Sequence, residues 1–428
     1  MSDARGIVNE AEARLAHPRL TTQESTVPAD LPHPPVITSP EGAVEALAGL
    51  AEGFASVAAD RDHEGTAPYT EVAALRATGI LPALVSTDFG GGGLDWRTVF
   101  TALRPVIRAD AGLGHVFAYH FVNSWRLQLN ERQDVIDELQ RDLAANHWFW
   151  GGAGNPRDAG LELTPVQGGF TVSGRKFFAT GAQVSERLTA SGTRVDTGEK
   201  LAIIIDATQP TVAHHDDWDN IGQRLSASGS VSFHAASVPD AHVLGFGEQS
   251  GPKYRPFASL SILLFQLALD HIHVGLAEGA LAAAASYVAT TTKPWSTSGL
   301  ERAVDDPYIR ELIGDLTSAT RAADALTWRA TDVLVAAAER RWELTDAERG
   351  EVAVEIAAAK VVTTKTVLDV TSRLFELTGA RATGTSYGFD RFWRNARTIT
   401  LHDPVAYKAQ EVGDHALRGV FPTPSGYS

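Results

Sequence analysis

Apolar positions recur at three- and four-residue spacing in two long parts of the chain and alternate in the part between them. Residues 42–59 and 69–78 are Ala-rich with helical spacing. Residues 112–123 continue it: Val116, His120 and Asn123 fall on one helix face, and His115 and Tyr119 are four apart. From about 148 to 245 the pattern changes. Residues 168–181 partly alternate between glycines, 201–205 are a short apolar run, and 231–234 alternate again, which predicts strands. Helical spacing returns over 260–290, 308–341 and about 346–378. Thr345 and Glu348 read as a capping box for the last of these, and Gly379 as its end. Helices this long and apolar predict a bundle with apolar surface left for other subunits.

The expected fold is mainly α with an inserted β domain. A mobile N-terminal arm is expected at 1–40, where Pro28, Pro32, Pro34, Pro35 and Pro40 prevent a continuous helix. A helical domain follows at 41–147, then a β domain at 148–250 and a C-terminal helical bundle with a closing tail at 251–428.

Composition narrows the function. The chain has 428 residues, 44% of them hydrophobic, and 52 acids against 37 bases give a net charge of −15. That balance disfavours nucleic acid and anionic membrane as partners. No apolar run reaches the expected length of a membrane span and no charged-then-apolar leader opens the chain, so a cytoplasmic location is expected. The absence of cysteine excludes disulfides, thiolate metal sites and cysteine nucleophiles. His214, His215, Asp216 and Asp217 are consecutive and cannot easily converge on one ion, so they read as a solvated loop and no metal is expected. Gly90–Gly93 lacks the Lys-Ser/Thr of a phosphate loop and reads as a turn.

The densest chemistry lies in 391–408. Arg391, Arg394 and Arg397 are three apart, which stacks them along one side of a helix. Pro404 interrupts that helix and leaves His402 and Asp403 at a break, where side chains can be aimed into a cavity. A surface helix with a basic stripe and a solvated end fits the same residues.

The run 394–404, Arg-Asn-Ala-Arg-Thr-Ile-Thr-Leu-His-Asp-Pro, resembles the closing segment of the acyl-CoA dehydrogenase superfamily. In the dehydrogenases the position of Asp403 carries the catalytic Glu. The Leu-His-Asp-Pro version is similar to the flavin-dependent monooxygenase branch, most closely its dibenzothiophene monooxygenase type. Trp218 to Phe233 resembles that branch's Trp-x-x-x-Gly-x-Arg-x-x-x-Ser-Gly-Ser, and Lys176 to Ala182 resembles a segment whose aromatic and hydroxyl residues touch the flavin ring.

The resemblance implies a helical N-terminal domain, a central β-barrel or sandwich and a C-terminal four-helix bundle. It implies a two-component monooxygenase. Reduced FMN from a separate NAD(P)H:flavin reductase, with FADH2 as the alternative, would react with O2 to a C4a-hydroperoxide and oxygenate an aromatic heterocycle of the dibenzothiophene or indole type. His120, Thr180 and His402 are then the catalytic candidates. Gly152, Ala153, Phe178, Thr180, Trp218, Lys293, Arg381 and Thr383 are the flavin contacts. Phe121, Asn123, Trp218 and Asp403 line the substrate pocket, with Phe392 and Trp393 as further aromatic candidates. A homotetramer, as a dimer of dimers, is also implied. Where the dehydrogenases carry Arg-x-x-Phe-Gly for the FAD pyrophosphate, this chain has Thr292 to Ser296, which favours FMN. Two other readings remain at this point: a dehydrogenase or oxidase with Asp403 as base, and a non-catalytic scaffold.

Overall fold

The computed structural model describes residues 34–246 and 254–428. The expected N-terminal arm falls almost wholly outside them.

Among the described residues five α-helices come first: α1 (Pro40–Glu64), α2 (Tyr69–Ala77), α3 (Trp96–Ala109), α4 (Ala111–Trp125) and α5 (Gln133–Asn146). Ser39 caps α1 by accepting from the Gly42 N–H at 3.1 Å, and Pro40 takes the first helical position, where its missing donor costs nothing. Asp110 ends α3 and caps α4: one carboxylate oxygen accepts from the N–H groups of Gly112 at 2.7 Å and Leu113 at 3.0 Å. Every residue of α4 is buried, as a helix apolar nearly all round requires.

Eight strands follow: β1 (Trp150–Ala153), β2 (Leu161–Val166), β3 (Gly169–Lys176), β4 (Arg187–Arg194), β5 (Lys200–Asp206), β6 (Val212–His214), β7 (Val231–Pro239) and β8 (Val243–Phe246). Their order in the sheet is β6-β7-β3-β2-β4-β5-β8, with β1 joined to β4. The β1–β4 and β2–β4 pairs are parallel and the others antiparallel. Leu161, Leu163, Val172, Leu188, Ile203, Ile205, Val231 and Phe233 form a core between the strands. Trp150 and Ile204 face the other way and pack with Ile136, Leu139 and Leu143 of α5.

The last part is helical: α6 (Leu260–Thr290), α7 (Pro307–Glu339), α8 (Asp346–Thr378), α9 (Asp390–Ile399) and α10 (Val405–Arg418). The capping box forms as the sequence predicts, with Thr345 N–H donating to Glu348 Oε2 at 2.8 Å and Glu348 N–H to Thr345 Oγ1 at 3.2 Å. Gly379 ends the helix at φ +78°. Against the sequence expectation, α1 and α6 are both long and apolar enough to cross a bilayer by length and composition, but 89% of the most apolar window of α6 is buried in protein. α6 packs on α7, α8, α3 and α4, so one core runs through both helical parts.

Candidate active site

The loop between β6 and β7 ties three parts of the chain together through Gln223. Gln223 adopts φ +56°, a cost its contacts must offset. Its N–H donates to Asn395 Oδ1 at 2.6 Å and its side-chain amide to the Asn395 carbonyl at 3.3 Å. Its carbonyl accepts from Trp218 Nε1 at 2.9 Å, and its Oε1 lies 3.2 Å from His115 Nδ1. Gly222 makes this approach possible, because a Cβ there would meet the Arg394 carbonyl oxygen at 2.1 Å. Arg394 pairs with Asp62 and Asp390 and donates to the Ile221 carbonyl at 2.7 Å. The charge of Arg391 acts on Asp62 and Asp110, so the expected basic stripe is partly spent on anchoring α9.

The turn after β3 supplies a flat, partly polar wall. Phe178 sits at φ +53° and is 64% exposed, its ring edge-on to Trp218 at 5.9 Å. Thr180 is buried, and its Oγ1 begins a hydroxyl chain: Ser228 Oγ at 2.8 Å, then Ser226 Oγ at 2.7 Å. Main-chain bonds from Ala179 to Gly229 and from Gly181 to Ser226 lash this turn to the Gln223 loop. Gly181 packs on Val116 of α4, which brings the turn to the His115 level of that helix.

The break between α9 and α10 completes the site. His402 is partly exposed, and its Nδ1 lies 3.0 Å from Asp403 Oδ1. That same oxygen accepts from Gln266 Nε2 at 3.3 Å and stands 3.6 Å from Lys360 Nζ. Burial alone would raise the Asp403 carboxyl; the His402 bond and the Lys360 charge outweigh it and hold the group well below the usual carboxylate range. The Tyr427 ring stands edge-on to His402 at 6.0 Å.

Two residues of α4 that sequence reasoning passed over face this break. Burial, then the charge of His402, drives His115 down to about 3, so its imidazole is neutral near pH 7. His115 Nε2 has no hydrogen-bond partner among the described residues, and neither has Tyr119 Oη. The two rings meet edge-on at 4.3 Å. Burial and the negative charge of Asp403 both push the Tyr119 phenol up. The available signal was the four-residue spacing of His115 and Tyr119.

Several sequence candidates lie elsewhere. Both nitrogens of fully buried His120 are engaged by backbone: Nε2 lies 2.9 Å from the Leu81 carbonyl and Nδ1 accepts from Trp150 N–H at 3.0 Å. Without a free nitrogen, His120 is a strut between α4 and β1 and not an acid or base. Phe121 is fully buried against His120 in the helical core, and Phe392 lies in the same core. Asn123 Nδ2 donates to the Tyr119 carbonyl at 2.8 Å and Oδ1 accepts from Thr189 Oγ1 at 2.6 Å, so the amide braces β4 and not a pocket. A Cβ on Gly152 would reach Asn123 Oδ1 at 2.9 Å, which explains the bare backbone beside Ala153. His214, His215 and Asp217 are hydrogen-bonded to Ala207, Ser232 and Ser230.

Lys293, Arg381 and Thr383 do not join the others within one chain. They are exposed beyond the C-terminal ends of α6 and α8, ends linked by Thr292 Oγ1 donating to the Thr378 carbonyl at 3.4 Å. Gln266, which touches Asp403, lies about 36 Å along α6 from Thr290 at 1.5 Å per residue. The exposed Phe178 edge, Trp218, the Thr180 hydroxyl chain and the free His115 Nε2 fit a flavin ring; the phosphate-side residues are at the other end of the bundle.

Residues 268–407 match the family described as acyl-CoA dehydrogenase, C-terminal domain. The chain is 38% identical over 395 residues to a probable FMNH2-dependent monooxygenase, SfnC, of Pseudomonas putida, covering 92% of this chain and 99% of that one. It resembles methanesulfinate monooxygenase MsuC of Pseudomonas fluorescens at 36% identity and TM-score 0.85, over 90% and 99% of the two chains. The dibenzothiophene monooxygenase TdsC of a Paenibacillus species, solved with FMN and indole, gives 35% identity and TM-score 0.86 over the same shares. Identity of this order over nearly the whole chain places the protein in the flavin-dependent monooxygenase branch of the acyl-CoA dehydrogenase superfamily.

Proposed function

We propose that the protein is the oxygenase of a two-component system that uses reduced FMN and O2 to oxygenate an aromatic heterocycle at sulfur, nitrogen or carbon. When bound, reduced FMN supplies with O2 a C4a-hydroperoxide, whose distal oxygen passes to the substrate while the proximal one leaves as water. The observation that carries the reading is the set of groups around the α9–α10 break: His402 on Asp403, with the free His115 Nε2 and Tyr119 Oη opposite.

Each group has a separate task. Phe178 and Trp218 give flat surface for an aromatic ring, and Tyr427 closes the side next to His402. The Thr180 hydroxyl, polarised by Ser228 and Ser226, donates to oxygen atoms that would otherwise leave as hydrogen peroxide. His402 holds or delivers a proton at Nε2 while Asp403 fixes its Nδ1–H. Neutral His115 accepts from a substrate N–H, as in an indole. Lys293, Arg381 and Thr383 serve a phosphate held by a neighbouring copy, within a tetramer. A separate reductase is needed because no nicotinamide fingerprint is present in the sequence.

The test is a stopped-flow experiment in which the protein with photoreduced FMN, and then with FAD, meets oxygenated buffer. A persistent near-ultraviolet band that decays faster with indole or dibenzothiophene supports the reading. Immediate reoxidation with peroxide as the sole product overturns it. Lys293→Ala weakening FMN binding in a tetramer, sized by light scattering, supports the intersubunit phosphate contact.

A further inference from the structure

Behind Asp403 lies a second layer of titratable groups. Gln266, Asp270 and His273 share one face of α6, and Lys360 and Thr363 face them from α8. All five side chains are buried. Thr363 Oγ1 donates to Asp270 Oδ1 at 3.0 Å and lies 3.1 Å from His273 Nδ1. A hydroxyl has one proton to give, so it accepts from His273 Nδ1–H. Burial and the Lys360 charge keep His273 neutral. Lys360 Nζ, Asp270 Oδ2 and Asp403 Oδ2 have no hydrogen-bond partner among the described residues. One buried ammonium is thus set among two buried carboxylates, 3.6 Å from one oxygen of Asp403.

We propose that Lys360 and Asp270 are positioning residues for His402, with Lys360 shared between Asp403 and Asp270. When Asp270 is neutral, the ammonium serves Asp403, which holds the His402 Nδ1–H and leaves Nε2 for the reaction. When Asp270 ionises, the ammonium is divided between two carboxylates and the hold on His402 slackens. A buried cation cannot be left unpaired, so its division between two anions is the least costly arrangement.

The groups that face Asp270 set where the change occurs. Gln266 and His273 lie on its own helix, Lys360 and Thr363 on α8, Asp403 on the α9–α10 turn, and Lys408 on α10. Burial pushes the Asp270 carboxyl up to about 8, Lys360, Thr363 and Lys408 pull it down, and Asp403 pushes it up. The changeover therefore falls just above neutral pH. The inference rests on the proposed role of His402 in oxygenation.

The test follows the His402 imidazole in the full chain by nitrogen NMR, with histidine labelled and the signal assigned by His402→Gln, with and without FMN. The wild type is expected to show the Nδ1-protonated form at neutral pH and to lose it with a midpoint near that of Asp270. Asp270→Asn removes this inflection. Lys360→Met gives mixed forms at every pH, and Lys360→Arg restores the Nδ1–H form. In turnover with photoreduced FMN and indole, Asp270→Asn lacks the alkaline fall in kcat and keeps the wild-type KM. Lys360→Met lowers kcat up to about 10²-fold, the size expected of a misplaced catalytic group. An alkaline inflection retained in Asp270→Asn overturns the proposal, as does a Lys360→Met protein indistinguishable from wild type. The near-isosteric Asp270→Asn decides the matter if Lys360→Met does not fold. Failure of the wild type to oxygenate any substrate would remove the functional reading, while the imidazole titration would still decide the pair.

Discussion

His120→Ala separates a structural histidine from a catalytic one. The substitution strands the Leu81 carbonyl and the Trp150 N–H in a site with no exposure. Each unsatisfied buried backbone group costs about 1–3 kcal/mol. The lost ring was stacked on Phe149 at 4.8 Å, and its removal adds about 1–2 kcal/mol of packing. The sum, about 3–8 kcal/mol, is a large share of the roughly 5–15 kcal/mol by which folded proteins exceed their unfolded states. His120→Gln, which carries one donor and one acceptor at its tip, should recover part of the loss. The assay is urea unfolding followed by near-ultraviolet circular dichroism, with turnover measured per folded molecule at low temperature. Expected are a strongly lowered midpoint for His120→Ala, an intermediate one for His120→Gln, and near-normal turnover per folded molecule. A wild-type midpoint with abolished turnover would refute the reasoning and return His120 to the catalytic set.

His402→Ala and Thr180→Ala should keep the fold but divert turnover to hydrogen peroxide, each lowering oxygenated product about 10²-fold; product per peroxide is the measurement, and unchanged yield counts against both roles. Gly222→Ala forces a Cβ to 2.1 Å from the Arg394 carbonyl, so the loop must lift from α9 at a cost of about 1–3 kcal/mol, with weaker FMN binding by titration. Gly314→Ala, in open space on α7, is the control and should gain up to about 1 kcal/mol. Acidification should destabilise the fold. His115, His120, His271 and His273 are all held below their unfolded value by burial, so the unfolded chain takes up protons first and stability is lost as pH falls below about 6.5. Asp270 and Asp110, raised to about 8 and about 6, act in the opposite direction, since the folded state keeps their protons. Between about pH 7.5 and about pH 5.5 the buried histidines outnumber the two raised acids, so the net effect is a loss of stability. Urea midpoints that rise over that interval would contradict this.

Long periodic helices were legible because burial of a continuous face writes its period into the sequence. The third helix of the last part was read to the residue, from Thr345 and Glu348 at one end to Gly379 at the other. The His402–Asp403 break was legible from Pro404, although α9 already ends at Ile399 and Pro404 takes the N-cap position of α10. His120 and His115 could not be told apart on the same grounds. Both sit on α4 in an apolar context, and the difference lies in partners remote in sequence: Leu81 and Trp150 for one, Gln223 and His402 for the other. Gln223 itself carried no signal, since its importance comes from a close approach to Asn395 that only Gly222 permits. Phe121 and Asn123 were drawn into the expected pocket by their proximity to His120, and they share its structural fate.

The geometry around Asp403 also argues against a dehydrogenase-type base in this chain. A carboxylate that removes a carbon-bound proton needs a free lone pair aimed at substrate and a proton affinity near the working pH. Asp403 Oδ1 is engaged by His402 and Gln266 with Lys360 close by, and Oδ2 is buried. Those partners hold the carboxyl well below its ordinary range despite burial, which makes it a poor acceptor of protons. The same anion is well suited to hold an imidazole N–H, and His402 is the member of the pair that is partly exposed to the site. Under the proposed function, Asp in place of the dehydrogenases' Glu, with His before it, moves the proton-handling group from the carboxylate to the ring. Asp403→Asn should accordingly impair oxygenation through a misheld His402, and Asp403→Glu should not confer acyl-CoA oxidation. Flavin bleaching by an acyl-CoA in the Glu variant would show that the ring had not taken over.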